Sequence, residues 1–179
     1  MSVTATGGVI LPLGDRAPRI AADAFIAPTA TLIGDVEIGA GSSIWFGCIL
    51  RGDINFIRVG ARSNLQDGTI VHVNRIAEHR TVIGDDVTVG HAALIHACTL
   101  ESGSFVGMRA TVMDGAVVES GAMVAAGALV TPGKRVPAGE LWAGAPARRA
   151  RVLNDDERAS LTDIAGLYAS LAREYLDLD

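Results

Sequence analysis

The fold is decided by residues 100–130, which read LESGSFVGMRATVMDGAVVESGAMVAAGALV. An aliphatic side chain stands at every sixth position of this stretch, and a small side chain stands two residues before each later one. The aliphatic positions are Leu100, Val106, Val112, Val118, Val124 and Val130, and the small ones are Ser104, Ala110, Ala116, Ala122 and Ala128. A period of six fits neither an α-helix nor one long strand, but it fits short strands that are separated by turns.

The same period runs through the first half of the chain, with two interruptions. It places aliphatic residues at Ile26, Leu32, Ile38, Ile44 and Leu50, then at Val59, Leu65 and Val71, and then at Ile83, Val89 and Ile95. Three extra residues follow Arg51 and six follow His72, and we predict that both insertions leave the repeat. Three strands close a triangular coil of about 18 residues, so the repeats predict about six coils.

Stacked coils of this kind form a parallel β-helix. At the strand spacing of about 4.8 Å, the aliphatic side chains fill the inside of a triangular prism. The period itself leaves the hand of the coil open, although connections between parallel strands are usually right-handed. We place the β-helix at about residues 20–150 of a single domain that spans 1–179.

A terminal helix is predicted after the repeats. Asn154 is followed by three acidic residues, which is typical of a helix N-cap and first turn. Apolar side chains then recur at helical spacing, namely Leu161, Ile164, Ala165, Tyr168, Leu171, Ala172 and Tyr175. We therefore expect an amphipathic helix over about 154–177 that packs along the prism.

Composition argues against several classes of partner. The 179 residues include 15 Lys and Arg against 20 Asp and Glu, a net charge of −5, and no basic cluster that would favour nucleic acid or an anionic membrane. No apolar stretch approaches the roughly 20 residues that cross a bilayer. Two cysteines without a CxxC pair indicate neither a disulfide scaffold nor a thiolate metal site. We predict a soluble cytoplasmic protein whose cysteines, Cys48 and Cys98, fill the core.

Two of the four histidines share one phase of the repeat. His72 and His96 each directly follow an inward aliphatic residue, so both occupy the first outward position after it. If residues 73–80 leave the prism, the two histidines stack on one face of successive coils, about 4.8 Å apart. Arg51 falls in the same column by the same count.

His91 has a different phase. It lies two positions after an inward valine, on the preceding face, where Gln66 and Asp67 occupy the matching place one coil earlier. A rigid corner keeps it from approaching the other two histidines to the roughly 2.0–2.1 Å of metal–imidazole bonds. A threefold packing of prisms would bring the two faces together, so we predict a site shared between subunits. It combines Arg51, His72 and His96 of one subunit with Gln66, Asp67 and His91 of its neighbour.

Three neutral imidazoles with an open fourth position are typical of a catalytic zinc site. Zinc in such a site lowers the pKa of a bound water toward about 7, which gives hydroxide at neutral pH. Iron(II) and cobalt(II) also accept three histidines, so zinc is the first expectation rather than the only one. The alternative is that each histidine is an ordinary surface or interface side chain.

The motifs around these residues resemble those of one known family. Arg51-Gly52-Asp53, Asn64-Leu65-Gln66-Asp67-Gly68, His72, Gly90-His91 and Ile95-His96 occur in the order found in gamma-class carbonic anhydrases. The resemblance covers essentially the whole chain, and it implies a left-handed β-helix, a homotrimer and three interfacial metal sites. It assigns the metal ligands to His72, His91 and His96.

The resemblance also implies roles for five further residues. Arg51 and Asp53 form an ion pair at the interface, although a purely structural pair is an equal alternative. Gln66 and Asp67 lie beside the metal-bound water, where Arg51 or Gln66 would stabilise nascent bicarbonate and Asp67 would hold another donor. Tyr168 matches a helix tyrosine that closes over the site, with packing as its alternative role.

The leading hypothesis is therefore the reversible hydration of carbon dioxide by metal-bound hydroxide at the interfaces of a homotrimer. One departure predicts weak activity, because well-characterised members of the family carry proton-transferring acids directly after the Arg-Gly-Asp motif and in a long loop. Here Ile54 follows Asp53 and the loop 73–80 is short, which leaves Glu78 and His79 as candidate proton relays. A coenzyme A-dependent acyltransferase, which the same fold also hosts, and a non-catalytic trimeric metal-binding or assembly subunit are the alternatives.

Overall fold

The computed structural model describes residues 7–177, which form twenty strands and one helix. The predicted domain also includes residues 1–6 and 178–179, which lie outside the described residues. In chain order the elements are β1 (Val9–Leu11), β2 (Arg19–Ile20), β3 (Phe25–Ile26), β4 (Thr31–Ile38), β5 (Ser43–Ile44), β6 (Ile49–Val59), β7 (Asn64–Leu65), β8 (Ile70–His72), β9 (Thr81–Ile83), β10 (Thr88–Val89), β11 (Leu94–His96), β12 (Thr99–Leu100), β13 (Phe105–Val106), β14 (Thr111–Val112), β15 (Val117–Val118), β16 (Met123–Val124), β17 (Leu129–Val130), β18 (Arg135–Val136), β19 (Glu140–Ala143), β20 (Arg148–Val152) and α1 (Asp155–Leu176).

The strands build the three faces of a prism by parallel pairing. The first face contains β3, β5, β7, β10, β13, β16 and β19. The second face contains β1, the first halves of β4 and β6, and then β8, β11, β14 and β17. The third face contains β2, the second halves of β4 and β6, and then β9, β12, β15 and β18. The predicted left-handed parallel β-helix with a C-terminal helix is confirmed.

The predicted aliphatic column fills the inside of this prism. The side chains of Leu100, Val106, Val112, Val118, Val124 and Val130 are each 0% exposed. Burying one such side chain contributes about 1.5–3 kcal/mol, so a column that is repeated over all coils stabilises the whole prism. Cys48 and Cys98 lie in the same core, as predicted, and burial raises the pKa of the Cys48 thiol to about 12.

Both interruptions of the period leave the prism, as predicted. The register between β4 and β6 shifts after Gly52 and is regained at Ile57, because β6 has four residues there where β4 has one. Residues 73–80 form the second insertion, between β8 and β9. Parallel pairing begins with β1, so the β-helix starts before the predicted position near residue 20.

Helix α1 covers part of the first face of the prism. The Asn154 side chain accepts a hydrogen bond from the Glu157 N–H, and the Glu157 carboxylate accepts one from the Asn154 N–H. The helix packs over β3, β5, β7 and β10. Its Tyr168 and Tyr175 meet Trp45 at ring-centroid distances of 5.4 and 5.3 Å. The observed bounds agree with the predicted ones to within one residue at each end.

An antiparallel strand covers the end of the first face. β20 pairs with β19 in the antiparallel direction, whereas the strands of the coils pair in parallel. Its sequence, Arg148-Arg149-Ala150-Arg151-Val152, is exposed throughout. Within residues 7–177, no helix has the length and apolar character that a membrane span requires.

Candidate metal centre

Arg51, His72 and His96 stand in one column on the second face. The strand register pairs Arg51 with His72 and His72 with His96, which confirms the predicted stacking. The three side chains are 46%, 17% and 30% exposed, respectively. Thr81 ties the backbones beneath the histidines together, because its hydroxyl donates to the His72 carbonyl at 2.6 Å and accepts from the Ala97 N–H at 3.0 Å.

The two histidine rings face each other. His72 Nδ1 lies 3.2 Å from His96 Nε2. Each remaining ring nitrogen meets a carboxylate: His72 Nε2 lies 3.0 Å from Asp53 Oδ1, and His96 Nδ1 lies 2.6 Å from Asp114 Oδ1. Because a carboxylate only accepts hydrogen bonds, each neutral ring carries its proton on the carboxylate side and presents a lone pair to the other ring.

Two facing lone pairs repel each other unless a cation lies between them, and this donor set therefore fits a metal ion. Two metal–imidazole bonds of about 2.0–2.1 Å at a tetrahedral angle place their nitrogens about 3.3 Å apart. The observed separation of the two nitrogens is 3.2 Å. Carboxylates behind the imidazoles are the usual outer partners of zinc-binding histidines. No group of three or more His, Cys, Asp or Glu side chains able to hold a metal occurs among the described residues of one chain.

Asp53 connects this pair of histidines to Arg51. Its second carboxylate oxygen forms an ion pair with the Arg51 guanidinium within one chain. Partial burial raises the pKa of Asp53, but the hydrogen bonds from His72 and Arg51 outweigh that effect and hold the pKa below its ordinary value. Asp53 is therefore a carboxylate at neutral pH, and it orients both of its partners.

Asp114 belongs to the site although it was not among the predicted residues. It follows the inward Val112 by two positions, and its carboxylate reaches His96 on the preceding coil. Asn74 donates a 2.6 Å hydrogen bond to its other oxygen, and His79 Nδ1 lies 3.9 Å away. Burial raises the pKa of Asp114, but the hydrogen bonds from Asn74 and His96 outweigh it and hold the pKa below its ordinary value. The only feature of the sequence that could have indicated Asp114 is its position, since it is an acidic residue one coil after His96.

His91 and Asp67 form a second cluster, at the corner between the first and second faces. His91 Nδ1 lies 2.9 Å from Asp67 Oδ2 on the preceding coil, and the two side chains are 41% and 45% exposed. Gln66, which precedes Asp67, is buried, and its amide donates a 3.2 Å hydrogen bond to Asn64. Tyr168 of α1 lies near this corner, where burial and then the charge of Asp67 raise its pKa.

Within one chain the two clusters remain apart. Among the described residues, no hydrogen bond or ion pair links His91 or Asp67 to the column that contains His72 and His96. This separation agrees with the prediction that a corner of the prism lies between them. One chain therefore presents two incomplete halves of the predicted site.

The loop 73–80 brings one of the two candidate proton relays to the site. His79 is partly buried, and its Nδ1 has no hydrogen-bond partner in the described part of the chain although it faces Asp114. Glu78 points into solvent. Ile54, which follows the Arg-Gly-Asp motif, is 40% exposed. Of the two candidates, His79 is the one that lies near the histidine column.

The chain is similar over most of its length to proteins named carbonic anhydrase. It is 51% identical over 165 residues to mitochondrial gamma carbonic anhydrase 1 of Arabidopsis thaliana. The aligned residues cover 90% of this chain and 60% of the relative. It is 40% identical over 167 residues to a carbonic anhydrase of Geobacillus kaustophilus, with 93% of this chain and 91% of the relative covered. The chain thus spans about three fifths of the length of the plant relatives and nearly all of the bacterial one.

A solved structure shows the same architecture. A hexapeptide transferase family protein from Anaplasma phagocytophilum matches with a TM-score of 0.90 at 48% identity, covering 94% of this chain and 98% of that one. No protein-family model matches the chain. The similarity therefore rests on individual relatives and on this solved structure.

Proposed function

The chain belongs to the gamma carbonic anhydrase family, and on that premise we propose that it catalyses the reversible hydration of carbon dioxide to bicarbonate. The observation that carries the proposal is the pair of facing nitrogens of His72 and His96, 3.2 Å apart, with a carboxylate behind each ring. We place the reaction at metal sites shared between the subunits of a cytoplasmic homotrimer. Zinc is the proposed metal, and iron(II) and cobalt(II) are the alternatives.

His91 of a neighbouring subunit is the proposed third ligand. Its ring lies at a corner of the prism and is 41% exposed, so a second prism can reach it. The second face offers a surface for that contact, because Ile49, Ile70 and Leu94 form an apolar column beside the histidines and are 40%, 44% and 37% exposed. Threefold packing of the corner of each prism on the second face of the next would give three equal sites.

The two halves of the proposed site, the histidine column and the corner with His91, contribute different groups to the reaction. A metal held by the three histidines supplies Lewis acidity and lowers the pKa of water toward about 7. The Arg51 guanidinium, kept beside the column by Asp53, offers a planar donor fork for the oxygens of nascent bicarbonate. Across the interface, the 2.9 Å contact with Asp67 orients the His91 ring.

Gln66 and Tyr168 complete the proposed site from the side of α1. Gln66 stands one residue before Asp67, and we assign its amide to orienting a substrate oxygen once the neighbouring column approaches. Tyr168 lies near Asp67, and its ring contacts Trp45 at 5.4 Å. We assign it to closing the site against solvent, in addition to its packing role.

Each hydration releases one proton. The chain has few side chains near the proposed site that could accept it and pass it to solvent. Ile54 stands where the resemblance implies an acid in well-characterised members of the family, directly after the Arg-Gly-Asp motif, and the loop 73–80 is short. We assign the proton relay to His79, because imidazoles suit proton transfer near neutral pH and its Nδ1 lies 3.9 Å from the Asp114 carboxylate behind His96. A single relay of this kind predicts slow hydration.

The function is tested by measuring metal content and hydration on one sample. Protein purified under reducing, anaerobic conditions is analysed by elemental mass spectrometry and then by stopped-flow hydration of carbon dioxide. We expect about one metal per chain, and hydration that chelation removes and zinc restores. Metal without hydration would support the metal-binding assembly subunit instead. An intact trimer without metal would refute the three-histidine site, and coenzyme A-dependent transfer would then be assayed.

The sharing of the site is tested by mixing two variants. His91→Ala lacks the corner ligand, and the double variant His72→Ala/His96→Ala lacks the column ligands. Neither homotrimer holds a complete site, but each mixed trimer contains one interface at which both halves are native. After refolding equal amounts together, we expect about a quarter of the wild-type metal and hydration to return. Mixed trimers without recovery, or a full complement of metal in His91→Ala alone, would contradict the shared site.

A further inference from the structure

The two insertions that interrupt the repeat meet beside the histidine column. Asn55, in the first insertion, donates hydrogen bonds of 3.1–3.4 Å to three carbonyl oxygens of the loop 73–80. This amide ties the two insertions to each other. Asn74, at the start of the loop, donates a 2.6 Å hydrogen bond to Asp114 Oδ2. The insertions therefore form one connected network that ends on a carboxylate.

Asp114 is the residue through which this network reaches the histidines. Its Oδ2 receives the Asn74 amide and its Oδ1 meets His96 Nδ1, both at 2.6 Å. The side chain is 19% exposed, and a carboxylate in such a place costs free energy unless hydrogen bonds satisfy it. The two contacts satisfy both oxygens in one orientation of the carboxylate, so they fix the direction from which it meets the ring.

The contact with Asp114 selects one tautomer of His96. A neutral imidazole carries its proton on either Nδ1 or Nε2, and a carboxylate accepts a hydrogen bond but does not donate one. The proton is therefore placed on Nδ1, and Nε2 is left with a lone pair that faces His72 at 3.2 Å. An amide in place of the carboxylate would keep its oxygen toward the Asn74 donor and turn its NH₂ toward His96 Nδ1, so it would favour the opposite tautomer.

We propose that Asp114 is a positioning residue that fixes the tautomer and the ring direction of His96, and that Asn74 of the loop 73–80 holds Asp114 in place for this task. The insertions in the repeat would then serve the metal centre by holding one of its ligands. This inference rests on the proposed metal site, because the selected lone pair is useful only to a cation. It adds two residues that lie outside the predicted ligand and substrate contacts.

The first test is Asp114→Asn, which removes the charge and keeps the shape. In metal-free protein at about pH 8.5, which is about two pH units above the ordinary imidazole pKa, ¹⁵N NMR of labelled histidine reports the tautomer. The chain has four histidines, which makes assignment tractable. We expect the wild-type His96 to carry its proton on Nδ1 and the variant to shift toward a proton on Nε2. Zinc affinity from chelator competition should fall about 10–100-fold in the variant.

A matched control makes the same chemical change away from the site. Asp86 also lies at a turn and pairs with Arg62 at 2.7 Å, at the corner between the third and first faces. Asp86→Asn should leave the His96 tautomer and the zinc affinity unchanged. If Asp114→Asn does not fold, Asn74→Ala is tested in its place. It should change the His96 tautomer and the zinc affinity in the same direction, by a smaller factor.

The outcomes separate this inference from the proposed function. A wild-type protein that binds zinc, together with variants at Asp114 and Asn74 that keep its affinity and its Nδ1 tautomer, would overturn the inference alone. A wild-type protein that binds no metal would overturn the proposed function. In that case the tautomer of His96 in the metal-free protein would still show whether Asp114 selects it.

Discussion

The first and second faces of the prism share one backbone plan but carry different outward side chains. On the part of the first face formed by β3, β5, β7 and β10, they include aromatic and neutral polar residues, such as Trp45 and Asn64, and helix α1 buries them. On the second face they include Ile49, Ile70 and Leu94 beside the histidine column, and these remain partly exposed. The repeat determines which positions point outward, and the outward residues reflect what covers them. The chain's own helix covers part of the first face, and a second subunit is proposed to cover the second face.

Removing Trp45 should have the largest effect, because it deletes the centre of the covered face. Its side chain is 4% exposed, and its ring lies 5.1 Å from Phe25, 5.4 Å from Tyr168 and 5.3 Å from Tyr175. We expect Trp45→Ala to lower the free energy of unfolding by about 3–5 kcal/mol at a fixed protein concentration. Denaturant unfolding measures that loss, and amide exchange should accelerate in α1. Unchanged exchange in α1 would contradict the view that this aromatic cluster docks the helix.

A charge on the second face should have a smaller effect than the loss of Trp45. It should change the assembly of the subunits rather than the stability of one prism. Ile70→Glu would place an unpaired carboxylate in the proposed interface, at a cost of at least about 1–3 kcal/mol for each contact between subunits. We therefore expect dissociation toward monomers in analytical ultracentrifugation, with the strand signal of the prism retained. Val117→Glu is the matched control, since Val117 points outward on the third face beside Arg135. Equal assembly of Ile70→Glu and wild type would remove the second face from the interface.

A change at the N-terminal end of α1 should have the smallest effect on stability. Glu157 lies outside the first and second faces, so it serves as a reference for both. Hydrogen bonds from Arg151 and from the Asn154 N–H lower the pKa of Glu157 from 4.5 to about 2. Since the folded pKa is the lower one, the contribution of Glu157 to stability is present above about pH 4.5 and is lost as the pH falls toward about 2. Thermal unfolding of wild type and Glu157→Gln should therefore differ most at neutral pH and converge in acid. A difference of the same size at pH 3 and pH 7 would refute this assignment.

Much of the fold could be predicted because the hexapeptide period is a local signal. Each strand contacts the strands directly before and after it in the stack, so counting from one aliphatic residue to the next predicts the inward column. The same count predicted that Arg51, His72 and His96 stack and that His91 lies around a corner. The hand of the coil and the reaction came from the resemblance, since the period is compatible with either hand. The metal was inferred from the residues themselves, as three histidines with an open fourth position.

Two parts of the structure lie beyond such counting. The hydrogen bond between Asn74 and Asp114 joins residues that are 40 positions apart, and it forms because an insertion folds back over the column. An insertion interrupts the period, and its direction is set by its own contacts, here the Asn55 amide. The amphipathic pattern likewise predicted a helix along the prism, but the face that it covers follows from where aromatic residues such as Trp45 stand.

The antiparallel strand at the end of the prism has a consequence for how the protein behaves in concentrated solution. A stack of parallel coils ends in unpaired backbone groups, and an open edge of this kind can accept a strand from another molecule and grow into fibres. β20 occupies the edge of β19 and reverses the strand direction. Its arginines, Arg148, Arg149 and Arg151, place charged side chains along the new edge, which opposes further pairing. On the first face, the strand that covers the last coil thereby opposes end-to-end pairing with a second molecule.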